Sequence, residues 1–183
     1  MSWLYESSKI VRHKVFISYY HKEDENYKKK FEELFDDLFI NKSVNPGDID
    51  SDNSDEYIKQ LIQKEYIDDA SVLVVLVGPN TYGRKHIDWE ISAALNKKVG
   101  GYSGLLGICL PTHPDYGKDK YNPDIVPPRL VDNIKSGYAK FYDWTTDRNK
   151  IKKWVEEAFQ NRINKSDKID NSREQFRYNR SGE

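Results

Sequence analysis

Cysteine is nearly absent. The 183-residue chain has one, Cys109, so it forms no intrachain disulfide and builds no cysteine-based zinc site, and a reducing compartment is expected. Net charge is missing too: 30 Asp and Glu against 29 Lys and Arg leave a formal charge of -1, which excludes attraction to nucleic acid or anionic lipid through global charge. No apolar run approaches the roughly 18 to 20 residues of a membrane helix. Met1 to Ser8 lacks the basic-then-apolar order of a secretory leader, so a soluble cytoplasmic protein without nucleic-acid or membrane partners is expected. What the chain does hold is aromatic bulk. Thirteen Tyr, 7 Phe and 4 Trp accompany a hydrophobic share of 37%, enough for one compact core.

Several chemistries lack their motifs. There is no Gly-x-x-x-x-Gly-Lys-Ser/Thr, and Gly101, Gly104 and Gly107 interrupt or precede a strand, whereas a pyrophosphate cradle follows one. Asp48, Asp50 and Asp52 begin like a calcium loop, but Asn53 replaces its turn glycine and Lys59 its bidentate glutamate. His13, His21, His86 and His113 have no metal-ligand spacing with Cys109, so no metal site is expected.

Periodicity sets the architecture. Val15 to Tyr19 reads as a buried strand, and Tyr27, Phe31, Leu34, Phe35 and Leu38 form the apolar stripe of a following helix. A long loop spans Asn41 to Glu56, with a short strand expected near Ser43 and Val44; Ser54 then caps a helix carrying Ile58, Leu61 and Ile62. The run Ala70 to Val77 scarcely alternates, as a central parallel strand covered on both faces requires. A helix from about His86 to Lys97, a strand Leu105 to Leu110, a short helix Arg129 to Ile134, a strand Ala139 to Tyr142 and a helix from Ile151 to Phe159 complete the order. Repeated βα units predict an α/β, doubly wound, mostly parallel five-stranded sheet with helices on both faces. Residues 1–13 read as an N-terminal extension, 14–163 as the domain, and 164–183 as a polar, flexible tail.

Such sheets bind ligands at the carboxyl ends of their strands, so function is expected in the loops after Tyr19, Asp50, Val77 and Leu110. Glu90 falls at the border of the face formed by Ile87, Ile91 and Ala94, near a helix start. The helix end favours any carboxylate there, and the same field would keep a catalytic one ionised at neutral pH. Ser18, Tyr19, Tyr20 and His21 leave the first strand at this edge, and Tyr82, Arg84 and His86 lead to Glu90. Trp89 points off the apolar face, available to stack on a ligand or partner or to pack under a loop.

At these residues a family resemblance emerges. Val15-Phe16-Ile17-Ser18-Tyr19 resembles the first box of TIR domains, and Pro46-Gly47 their second-box loop. His86-Ile87-Asp88-Trp89-Glu90 has the spacing of the Trp-Cys-x-x-Glu motif of NAD-consuming TIR enzymes, with His86 and Ile87 where Trp and Cys usually stand. The string from Gly78 to Ile91, with Pro128 to Ile134 later, looks like the prokaryotic TIR-like family of Thoeris antiphage proteins. The resemblance spans about Lys14 to Phe159.

It implies a flavodoxin-like TIR fold and an NAD nucleosidase or ADP-ribosyl cyclase, with NAD as substrate and no further cofactor. Glu90 would be catalytic; Ser18, Tyr19, Tyr20, His21, Asp50, Tyr82 and His86 would bind substrate. The product would be an ADP-ribose derivative, such as a cyclic ADP-ribose isomer, read by a separate effector protein in antiphage defence, with self-assembly or a phage-derived trigger as activator. Two rivals stand beside it: a non-catalytic TIR scaffold using an exposed Trp89 and a mobile tail, and a nucleotide binder without turnover.

Overall fold

The computed structural model describes residues 11–42 and 53–180. Five parallel strands form one sheet: β1 (His13–Ser18), β2 (Phe39–Asn41), β3 (Val72–Val77), β4 (Gly104–Cys109) and β5 (Lys140–Asp143), ordered β2-β1-β3-β4-β5. This is the flavodoxin-like order, and the expected doubly wound α/β sheet is observed. β3 and β4 pair from Val72 opposite Gly104 to Val77 opposite Cys109, and every residue of both is buried. Two covered faces explain why neither strand alternates in polarity.

On one face lie α2 (Asp55–Leu61), a π-helical turn (Ile62–Ile67), α3 (Lys85–Ala94) and α4 (Pro128–Ser136), burying Phe16, Leu73, Val75, Ile91, Leu105 and Leu130. On the other, α1 (His21–Phe35) and α5 (Arg148–Asn164) bury Ile17, Phe31, Val74, Leu76, Ile108 and Val155. Each such side chain contributes about 1.5–3 kcal/mol. α5 lies so close to β4 that a Cβ on Gly104 would meet the backbone carbonyl of Ala158.

Local chemistry sets the helix ends. The Ser54 hydroxyl accepts from the Tyr57 amide, as a cap should. Pro128 opens α4 and Gly137, at φ 88°, ends it. Some expected bounds shift. β2 pairs with β1 from Phe39, earlier than expected; Ser43 and Val44 lie outside the described residues. α3 stops at Ala94 because Lys98 and Gly101 bridge back on one another.

The expected flexible tail is corrected for residues 165–180. This segment runs back along α3 and α4, and Phe176 is 1% exposed. Its polar side chains have partners there, Asn171 Nδ2 donating to the Ser92 carbonyl at 3.1 Å and Arg173 pairing with Asp132 at 2.8 Å, while its backbone meets α3: the Trp89 indole donates to the Phe176 carbonyl at 2.8 Å, and the Phe176 amide to Asp88 Oδ2 at 2.9 Å.

Candidate functional site at the carboxyl edge of the sheet

β1 and β3 end side by side, with Val15 to Ser18 paired to Val72 to Val75. Beyond β3 the chain makes a tight turn: the Gly78 amide donates to Thr81 Oγ1 at 2.8 Å, and residues Thr81–Gly83 form a single 3-10 turn into α3. A Cβ at 78 would collide with the Asp24 carboxylate, which reaches over from the first turn of α1, so any larger residue there would displace that side chain.

Glu90 projects from the second turn of α3 and is 7% exposed. Its Oε2 and Oγ of Ser18 are both buried without a hydrogen-bond partner among the described residues. Burial pushes the Glu90 carboxyl up to about 8; the nearby Ser18 hydroxyl, outside hydrogen-bond geometry, pulls the other way. This corrects the expectation of an ionised carboxylate: desolvation outweighs the field of the helix start, and the side chain carries a proton at neutral pH. Buried polar atoms without partners are rare, and here Glu90 Oε2 and Ser18 Oγ leave hydrogen-bonding capacity on the α3 side of the carboxyl edge, with the Tyr19 hydroxyl likewise unpartnered on the α1 side.

The remaining expected residues divide by face. Strand alternation sends Ser18 toward α3 and Tyr19 toward α1, where Tyr19 packs with Phe31 and stacks on His21 at 4.3 Å. Tyr19 therefore does not line the Glu90 side; burial, with Glu25, Glu32 and Glu90, raises its phenol to about 12. Tyr20 turns to the α3 face, packing on the core there beneath the Arg84 guanidinium, 4.4 Å from its ring. His86 sits 5.2 Å from Trp89, and His21 is near enough to act on it electrostatically. Burial lowers both imidazoles, so both are neutral at pH 7. Tyr82 is half-buried in the 3-10 turn. Asp50 and the Pro46-Gly47 loop lie outside the described residues.

Trp89 is not exposed. At 1% accessibility it lies beneath the ammonium groups of Lys59 and Lys85, 4.7 and 5.2 Å from its ring, and against the tail. Trp89 is therefore not the exposed residue that a scaffold would use, and the described residues 165–180 of the tail lie against α3 and α4.

Three buried polar residues escaped the sequence reading. Asp24 is raised to about 6, chiefly by burial and then by Glu23, with Thr81 opposing. Its signal was spacing: three residues before Tyr27 and seven before Phe31, it continues their buried stripe. Asp88 and Arg129, 3% and 1% exposed at the side chain, form an ion pair with Nε to Oδ1 at 2.9 Å. No local pattern links residues 41 apart in sequence.

No curated protein matches the chain. Among solved structures, the TIR domains of the activated Roq1 resistosome directly recognizing the pathogen effector XopQ align over 82% of this chain and 83% of that one, at 13% identity and a TM-score of 0.40. The family described as Thoeris protein ThsB, TIR-like domain, matches residues 16–115. That stretch runs from β1 past Glu90 and β4 and is more than half of the 183 residues, so the chain belongs to this family of TIR-like Thoeris domains.

Proposed function

We propose that this domain cleaves the bond between nicotinamide and ribose in NAD. The observation that carries the reading is the pair of unpartnered buried atoms, Glu90 Oε2 and Ser18 Oγ, at the carboxyl edge of the sheet. The electron pair of the C1′–N bond passes to the nicotinamide ring, which leaves neutral, and the ribosyl centre becomes oxocarbenium-like. Glu90, once ionised, hydrogen-bonds the ribose hydroxyls and stabilises that cation electrostatically. The cationic nicotinamide ring of the substrate favours this ionisation, because an opposite charge nearby lowers a carboxyl's proton affinity. Tyr20 with Arg84, His21 and His86 flank the edge and orient the rest of the dinucleotide. The start of α3, with Arg84 before it and Lys59 of α2 beside it, supplies a local attraction for phosphates that the net charge of -1 lacks, while Lys85 there is paired with Asp55 at 3.1 Å.

An internal nucleophile of the ADP-ribosyl group, or another acceptor, then captures the cation. The product is an ADP-ribose-derived messenger, such as a cyclic ADP-ribose isomer, that activates a separate effector in antiphage defence inside the cytoplasm. Self-assembly or a phage component serves as trigger.

The test is to incubate the protein and a Glu90→Gln variant with NAD, with and without extract of phage-infected cells, and to separate the products chromatographically. Nicotinamide release by the wild type but not the variant is expected. Equal release by both would remove Glu90 from the chemistry, and release by neither under any condition would remove the enzyme.

A further inference from the structure

The tail grips α3 at several places, all around Glu90. Arg129 donates through Nε and Nη2 to the two carboxylate oxygens of Asp88 at 2.9 and 3.3 Å, and through Nη1 to Asn171 Oδ1 and the Arg173 carbonyl, each at 2.8 Å. Asp88 Oδ2 also accepts the Phe176 amide, while the Phe176 carbonyl accepts from Trp89. One turn on, Asn171 Nδ2 donates to the Ser92 carbonyl and Gln175 Nε2 to Ser92 Oγ, both at 3.1 Å. At the start of the helix Arg84 offers no side-chain cap; instead Asn179 Oδ1 accepts the Lys85 amide at 3.0 Å, and the Arg180 amide donates to the Gly83 carbonyl at 2.7 Å. The tail thus caps α3 in trans.

The geometry of the grip is one-sided. At roughly 100° per residue, Asp88 and Ser92 each lie about 160° from Glu90 around the helix, so the tail holds the rear of the turn whose front carries the carboxyl. We propose that residues 170–180, anchored by Phe176 and by the Asp88–Arg129 pair, are a positioning unit that sets the depth and rotation of α3 and so aims the Glu90 carboxyl at the Ser18 edge. This rests on the reading of Glu90 as the catalytic carboxylate. A buried ion pair stabilises no better than a well-packed apolar pair, but it fixes orientation, which is what a carboxyl acting on one ribose centre needs. Phe176, Asn179, Asp88 and Arg129 are positioning residues, acting through α3 rather than on the reacting atoms.

The test uses the full chain with Phe176→Ala, Phe176→Leu and Asn179→Ala, and with Val155→Ala in α5 as a core-truncated control on the opposite face. Two quantities are read: kcat and KM for nicotinamide release, and titration of the Glu90 carboxyl by 13C NMR in 13C-glutamate-labelled protein, its signal assigned by loss in Glu90→Gln. Phe176→Ala is expected to lower kcat about tenfold or more with KM within about threefold, the scale that ångström misplacement produces. Its Glu90 carboxyl should titrate clearly lower, toward the ordinary range, as water reaches it. Phe176→Leu should restore both quantities, and Asn179→Ala, which removes only the cap, should shift both in the same direction by less. Coincidence of Phe176→Ala with Val155→Ala in both readouts overturns the proposal. If Phe176→Ala does not fold, unchanged kcat and titration in Asn179→Ala overturn it. If the wild type releases no nicotinamide, the enzymatic reading fails, while the titration still decides whether the tail sets the environment of Glu90.

Discussion

Glu90 couples stability to pH in a direction opposite to most carboxylates. An ordinary glutamate titrates near 4.5, and burial lifts this one to about 8, so between those values the folded chain keeps a proton that the unfolded chain has lost. Stability therefore falls as pH rises through that window and levels off above it. Glu90→Gln, neutral and of the same shape, is expected to melt higher than wild type at pH 8.5, by on the order of 5–10 °C, and to melt alike at pH 4.5. Thermal scans at the two pH values check this; a difference independent of pH would contradict it. On the proposed reaction the same proton gives a rising limb: kcat/KM for NAD should climb with pH toward a plateau above about 8, the value of the free carboxyl. A profile flat from pH 6 to 9 would mean that Glu90 does not have to ionise. Sequence spacing was sufficient to find Glu90 as a border residue on its helix. The same rule, applied with period two to β1, separates Ser18 from Tyr19, a distinction that placing Ser18, Tyr19 and Tyr20 together at one edge leaves out. The burial that raises Glu90 was not legible, because it depends on β1 and on the residues packed around α3 rather than on the Glu90 neighbourhood in sequence.

At the scale of elements, legibility followed how much each element determines itself. β3 and β4 are continuous apolar runs, and no other placement in a doubly wound sheet buries both their faces. The Ser54 cap was readable because its partner lies three residues on. The contact of α3 with α4 was not readable: it rests on Asp88 and Arg129, two charged residues in separate amphipathic patterns, joined only once the sheet brings the helices together. Breaking this pair from one side should be costly, since it leaves a guanidinium buried at 1% exposure facing no carboxylate. Asp88→Ala is expected to lower unfolding stability by about 3–5 kcal/mol, whereas replacing Asp88 and Arg129 together with leucine should cost much less. Urea unfolding of Asp88→Ala, Asp88→Leu, Arg129→Leu and the double variant checks this, and additive losses would show that the two charges do not depend on each other.

Across the whole molecule, the carboxyl edge is assembled from distant parts of the chain: Ser18 from the first strand, Glu90 from the middle and Phe176 with Asn179 from the last described segment. A composition count placed that last segment outside the fold, because Lys, Arg, Asp and Asn dominate it and only Phe176 is buried apolar. The fold uses it differently, satisfying buried polar groups of α3 and α4 with its backbone and side chains, which demands polar residues. This has a consequence for proteolysis. Arg173 and Arg177 are exposed side chains in irregular backbone, a combination that ordinarily invites trypsin, yet the Arg173 carbonyl is held by Arg129 and the Phe176 amide by Asp88. Cleavage needs the segment to leave its groove, so its rate tracks the population of the opened tail. Native wild-type protein should survive trypsin at these two bonds about tenfold longer or more than Asp88→Asn, which weakens both anchors, with the fragments identified by mass spectrometry. Cutting at Arg173 or Arg177 equally fast in both proteins would mean that the tail is released far more often than its hydrogen bonds imply. A positioning role for it would then fail at the level of the whole fold before any question of chemistry arose.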